Sequence, residues 1–225
     1  MQTATSTAIS ATTYILQTPP LIFALIVLLF SIIIHEISHG YVADMLGDPT
    51  ARLAGRLTLN PLKHIDPIGS IIVPIITSFG GFTFGWAKPV PFNPFNLKNR
   101  RSGELIIALA GPASNLFIAF VFGLIIRFGT SGFGTTNFSA IFLQLCAYIV
   151  LINIALATFN LIPIPPLDGS KIIFAAFPPT PKWMRIRASI EHYSIWLVLI
   201  VIIFLWQFIV PIIPILFKVF TGVSF

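Results

Sequence analysis

Charge is what this chain has least of. Only 9% of its 225 residues are Asp, Glu, Lys or Arg, against about 25% in a soluble globular domain. With 56% hydrophobic residues, 22 Phe and a mean hydropathy of +0.94, it has too little polar surface to face water as a soluble fold. Cysteine is nearly absent as well: Cys146 stands alone, which excludes an internal disulfide framework. No Asp, Glu, Lys or Arg precedes Glu36, so the Ser/Thr/Ala-rich opening lacks the basic region of a secretory signal. Disorder and coiled coil are excluded on the same composition. The net charge of +6 sits in short basic clusters between apolar runs, as the positive-inside bias places them. It therefore reads as topology and contact with the lipid bilayer, and no nucleic-acid partner is expected.

What is present is a series of apolar runs. The expectation is an all-α integral membrane protein, a single domain over 1–225. It is a bundle of about four transmembrane helices at about 20–46, 105–126, 139–161 and 193–217, each near the roughly 20 residues a crossing needs. The run within 67–80 is short and holds Pro74, so it reads as a re-entrant segment. The Gly-, Pro- and aromatic-rich stretch that follows, to about 95, reads as a membrane-associated β-hairpin-like loop. With four crossings, the basic regions 47–103 and 171–191 share one side, the cytoplasm, and the uncharged 128–138 loop is external. No internal repeat of the kind found in two-fold transporters is seen.

The chemistry lies in His35-Glu36-Ile37-Ser38-His39, an H-E-x-x-H motif toward the inner end of the first span. Residues four apart share a helix face, so His35 and His39 can reach one metal ion, with Glu36 beside them as general base. Zinc suits such a site because it keeps an open position for water and brings that water's pKa near neutrality. With 4 His in the chain, chance yields the motif in about one shuffled sequence in a thousand. A charged group within a span costs roughly 2.5–3.5 kcal/mol, so adjacent ionisable groups need a compensating partner, and a divalent cation is one.

A third ligand must come from the seven acidic residues. Six lie in the motif, in basic loops or at span ends. Asp168 alone stands in an apolar setting, after the Pro163, Pro165 and Pro166 that break the third span. Irregular backbone at membrane depth is tolerated where it is buried or lines a watery cavity, so Asp168 is the candidate to join His35 and His39. A metal transporter would need a second set of intramembrane ligands along a path, and only one cluster is present.

Taken in order, His35–His39, Gly111-Pro112-Ala113-Ser114-Asn115 and Asn160–Gly169 resemble the site-2 protease family of intramembrane zinc metalloproteases, over about residues 20–175. The resemblance implies one zinc ion held by His35, His39 and Asp168, with Glu36 as catalytic base. It implies cleavage within or beside the transmembrane segment of a single-pass membrane protein substrate. It associates Asn160 with substrate handling, assigns Asn115 to a second family motif counted with substrate binding, and gives residues 79–95 a role in guiding substrate. The chain has no room for a PDZ insertion between the second and third spans, nor for a nucleotide-sensing module after Phe217, so a minimal catalytic core is expected. Its compactness points to a prokaryotic plasma membrane, with the active site toward the cytoplasm. His64 and His192, near charged loops, are expected at the surface.

Overall fold

The computed structural model describes residues 21–72, 75, 87–132, 136–178, 180–200 and 206–224. Three of its helices are long and apolar enough to cross a membrane. The first, α1 (Leu21–Met45), is 25 residues long, about 38 Å at 1.5 Å per residue, enough to cross a hydrocarbon core of about 30 Å. Its N-terminal half exposes Leu21, Ile22, Leu25, Ile26 and Phe30, while Ile33, His35, Ile37, His39 and Ala43 are buried. This inverts the soluble pattern: the apolar surface faces lipid and the polar side chains face protein. A short turn of helix, α2 (Thr50–Leu53), follows.

The long α3 (Arg100–Gly132) is the axis of the molecule. It packs against α1, against α4 (Asn137–Asn160), against α5 (Asp168–Ala176) and against the C-terminal α9 (Ile212–Thr221). A capping box between Thr136 and Ser139 starts α4. Small residues let these helices approach closely: Ala119, Cys146 and Ala147 lie in one buried cluster with Ile126, Val150, Ile154 and Phe217. Between α5 and α9 lie α6 (Pro181–His192), α7 (Ser194–Ile200) and α8 (Trp206–Ile209).

Helices long and apolar enough to cross a membrane thus stand where spans are expected at 20–46, 105–126 and 139–161. Of the fourth, expected at 193–217, residues 201–205 lie outside the described residues; the helix before them is α7, the one after them α8, and a turn at Val210–Pro211 parts α8 from α9. The last, Ile212–Thr221, has 10 residues, about 15 Å, half the core thickness. Pro211 stands at its start, where a missing N–H ends one helical ladder and begins the next. No strand occurs among the described residues. Of the expected re-entrant segment, only Pro67–Ile72 is described for any length, as a single wide helical turn. The hairpin expectation over 76–86 lies outside the described residues.

The segment from Ala87 to Asn93 is extended and is tied down along its length. His64, expected at the surface, is 2% exposed; its carbonyl accepts from the Lys88 N–H and its Nε2 pairs with the Thr58 carbonyl. The Arg56 guanidinium donates to the Lys88 and Pro89 carbonyls. At the other end Asp48, wholly buried, accepts from the Asn93 N–H, the Asn96 side-chain amide, and the Thr50 N–H and hydroxyl. Asp48 sits just past α1, so this carboxylate fixes the segment to the end of the motif helix.

Burial works against the Asp48 charge, but the hydrogen bonds from Thr50, Asn93 and Asn96 outweigh it and hold the carboxyl below the usual carboxylate range. A carboxyl depressed in the fold contributes stability above its unfolded value, about 3.9, and loses it as pH falls through the folded value. Asp48→Asn turns one acceptor into a donor facing Asn93, at a cost of about 2–3 kcal/mol. Thermal unfolding in detergent should show the variant below wild type from pH 5 to 7, with the gap closing below pH 4. A gap that is absent, or independent of pH, contradicts this account of the segment's anchor.

Candidate metal centre

Two helical turns of α1 present His35 and His39 on the face that meets α3. Their rings are edge to face with centroids 4.7 Å apart, and the two Nε2 atoms are 3.1 Å apart. Each ring is oriented from behind. His39 Nδ1 lies 2.6 Å from the Ile107 carbonyl, which can only accept, so Nδ1 carries the proton. Pro112 removes the N–H that would bond the Ala108 carbonyl, loosening the ladder in the same turn of α3. His35 Nδ1 lies 2.6 Å from Asn115 Oδ1, and it too is the donor. A neutral imidazole has one N–H, so both Nε2 atoms present lone pairs.

Asp168 reaches the same point from the opposite side. The proline-broken stretch after Asn160 ends at Leu167, and Asp168 begins α5. Gly169 lets this helix start rest directly on the Leu161 and Ile162 carbonyls, since a Cβ there would collide with both. The far end of α5 is held by Arg101, whose guanidinium donates to the Ala175 and Ala176 carbonyls. Asp168 Oδ2 then stands 3.0 Å from each histidine Nε2. The other oxygen, Oδ1, accepts from Lys171 Nζ at 2.8 Å.

Three buried acceptor atoms thus face one another at 3.0, 3.0 and 3.1 Å, with the imidazole protons committed elsewhere. Nothing in such a trio holds it together without a cation. The triangle also suits zinc: bonds of 2.0–2.1 Å at tetrahedral angles separate ligand atoms by about 3.3 Å. Among the described residues, His35, His39 and Asp168 are the group of buried side chains that could hold a metal ion.

A cavity of about 130 Å³ opens beside the trio. Glu36, Asn160 and Lys171 line it together with His35, His39 and Asp168, as do Pro89, Val90 and Phe92 of the extended segment. Glu36 Oε2 accepts from the Val90 N–H at 3.0 Å, which holds the carboxylate at the cavity edge. Asn160 donates to the Leu156 carbonyl and faces the cavity. Asn115 is wholly buried and bonds to His35 rather than lining the cavity. His64 and His192 are not part of the centre.

Sequence reasoning passed over Lys171, Asn153 and the Val90 N–H. Lys171 had a signal, lying three residues after Asp168 on the same helix face. Asn153 had one too, as a polar residue in an apolar span. The Val90 contact spans 54 residues and had none.

The sequence profile of peptidase family M50 matches residues 23–206. The chain is 38% identical to YwhC of Bacillus subtilis over 188 residues, 80% of each chain. It is 30% identical to Rip2 of Mycolicibacterium smegmatis over 78% of this chain and 64% of that one. With the zinc metalloprotease MJ0392 of Methanocaldococcus jannaschii it shares 26% identity over 80% of this chain and 42% of the other. No solved structure matches it at a significant level.

Gly111 packs flat against the centre: a Cβ there would collide with His39 Nε2 and reach within 2.6 Å of His35 Cε1 and Nε2. Alanine is the better helix former by about 1 kcal/mol, so Gly111→Ala should leave α3 intact while displacing the ligands. Purified Gly111→Ala should hold zinc at least tenfold more weakly than wild type in chelator competition. Unchanged affinity would show that the ring positions described here are not those that bind metal.

Proposed function

We propose that this chain, which belongs to peptidase family M50 and is a zinc metalloprotease, is an intramembrane endopeptidase. It cuts peptide bonds within or beside the transmembrane segment of single-pass membrane proteins. The observation that carries this reading is the position of the centre: the His-Glu-x-x-His turn lies in the C-terminal half of an apolar membrane-spanning helix. A substrate must therefore present its scissile bond at membrane depth. The basic clusters at 98–101 and 182–187 favour a cytoplasmic side for that end of the helix.

Zinc, when bound by His35, His39 and Asp168, supplies Lewis acidity to a carbonyl and acidifies a water at its open position. Lys171 holds one Asp168 oxygen, leaving the other alone to face the histidines. Glu36 accepts the proton of the attacking water at a carboxylate oxygen and returns it to the departing amine nitrogen. The carbon–oxygen bond forms first at the carbonyl carbon, and the carbon–nitrogen bond breaks as the nitrogen takes that proton and leaves as the amine.

A transmembrane helix hides its carbonyls in its own hydrogen bonds, so the substrate must unwind locally. The extended segment 87–93 forms a wall along which an unwound strand can lie. Pro89 and Pro91 have no N–H, and that of Val90 is taken by Glu36, so this wall offers a strand few donors. Asn160, on the same cavity, supplies a side-chain amide for the substrate backbone. Asn115 serves substrate binding only through the His35 ring that it orients.

Glu36→Gln should keep zinc and lower cleavage by about 100-fold or more, the usual weight of a general base. Membranes of host cells carrying wild type or Glu36→Gln can be compared by quantitative peptide mapping. Single-pass proteins should stay intact only with the variant, with wild-type cuts falling in or beside their spans. Cuts confined to soluble proteins, or equal cutting by the variant, would overturn the reading.

A further inference from the structure

The third span contributes no ligand, yet it carries a wholly buried Asn153 that touches the centre at one remove. Its side chain sits in a short chain of hydrogen bonds whose direction is fixed. The Ile149 carbonyl accepts from Asn153 Nδ2 at 2.9 Å, because a carbonyl cannot donate. Asn153 Oδ1 must then face Asn115, and it accepts from Asn115 Nδ2 at 2.8 Å. The Ser31 carbonyl, at 3.4 Å from the same Nδ2, agrees with that orientation. Asn115 is thereby left with Oδ1 toward His35 Nδ1. His35 must donate from Nδ1, and its Nε2 lone pair is directed at the trio. Asn153 Nδ2 also donates to Ser31 Oγ at 3.0 Å, tying the network to the motif helix one turn before His35.

We propose that Asn153 is a positioning residue for the metal centre. By fixing the Asn115 amide it holds His35 in the one tautomer whose Nε2 can bind zinc. A relay of amides thus links a backbone carbonyl of the third span to the lone pair of a ligand on the first. The alternative, two asparagines that only bridge helices, would be indifferent to which amide atom faces His35. The observed pattern is not, since each amide is anchored by a carbonyl that accepts only. Asn153→Leu removes the acceptor and frees the Asn115 amide to turn its Nδ2 toward His35. Asn153→Asp, in its neutral form, keeps an oxygen facing Asn115 and an O–H for the Ile149 carbonyl at unchanged size.

The inference rests on the zinc-site reading, and the two fail differently. A wild type that binds no zinc defeats the site; the outcomes below defeat only the relay. Zinc dissociation constants are measured by chelator competition on the full chain in detergent, with visible spectra of the cobalt-loaded protein as a second readout. Asn153→Leu should bind zinc about 10–100-fold more weakly and shift the cobalt bands. Asn153→Asp should recover affinity to within about threefold of wild type. Asn153→Leu at wild-type affinity, or both variants weakened alike, overturns the proposal. Should Asn153→Leu fail to fold, imidazole 15N shifts of the zinc-loaded wild type decide it: zinc bound through Nδ1 of His35 overturns the relay, and binding through Nε2 with Nδ1 protonated supports it.

Discussion

Ionisable and polar groups within a lipid-facing bundle have no water to fall back on, and the structure is organised around that constraint. Three lone-pair atoms from two distant parts of the chain meet at 3.0–3.1 Å. Only a cation makes that meeting favourable, and only full partnering of the groups behind it makes it tolerable. His39 is backed by a carbonyl of α3, His35 by Asn115, and Asp168 by Lys171. The fold's central helix, α3, supplies two of those backing groups and, at Gly111, the room for both rings.

The same helix organisation brings His35, His39, Glu36, Asn160 and Asp168 around one cavity. α1 carries the histidines and Glu36, α4 ends at Asn160, and α5 begins with Asp168. Packing of α1 and α5 against α3 sets their mutual distance. Asp48 and Arg56, by contrast, act outside the spans. They pin the two ends of segment 88–93 and so fix the Val90 N–H on Glu36. Glu36 is thus positioned by a loop that is anchored through ordinary buried hydrogen bonds, while His35, His39 and Asp168 are positioned by helix packing.

Much of this was legible in the sequence. The His-Glu-x-x-His spacing is a statement about one helix face, and three long uncharged runs translate directly into three spans. Asp168 stood out because acids are so few. The region 193–217 was not legible in the same way: hydropathy alone joins residues that Pro211 separates into distinct helices. Asp48 looked like a loop residue because its partners, Asn93 and Asn96, are 45 and 48 positions away, and no local pattern encodes such contacts. His64 was misplaced at the surface for the same reason. Asn153 was readable in principle, by the argument that singled out Asn115, since a polar side chain in an apolar span needs a partner.

The central claim is that two imidazoles and one carboxylate from these residues hold the metal. Zinc-edge X-ray absorption on the purified chain in detergent tests it most directly. The account predicts about one zinc per chain, with two imidazole nitrogens and oxygen scatterers at about 2.0–2.1 Å, and loss of that signature in Asp168→Ala. Sulfur in the first coordination sphere, or a spectrum unchanged by that substitution, would contradict it.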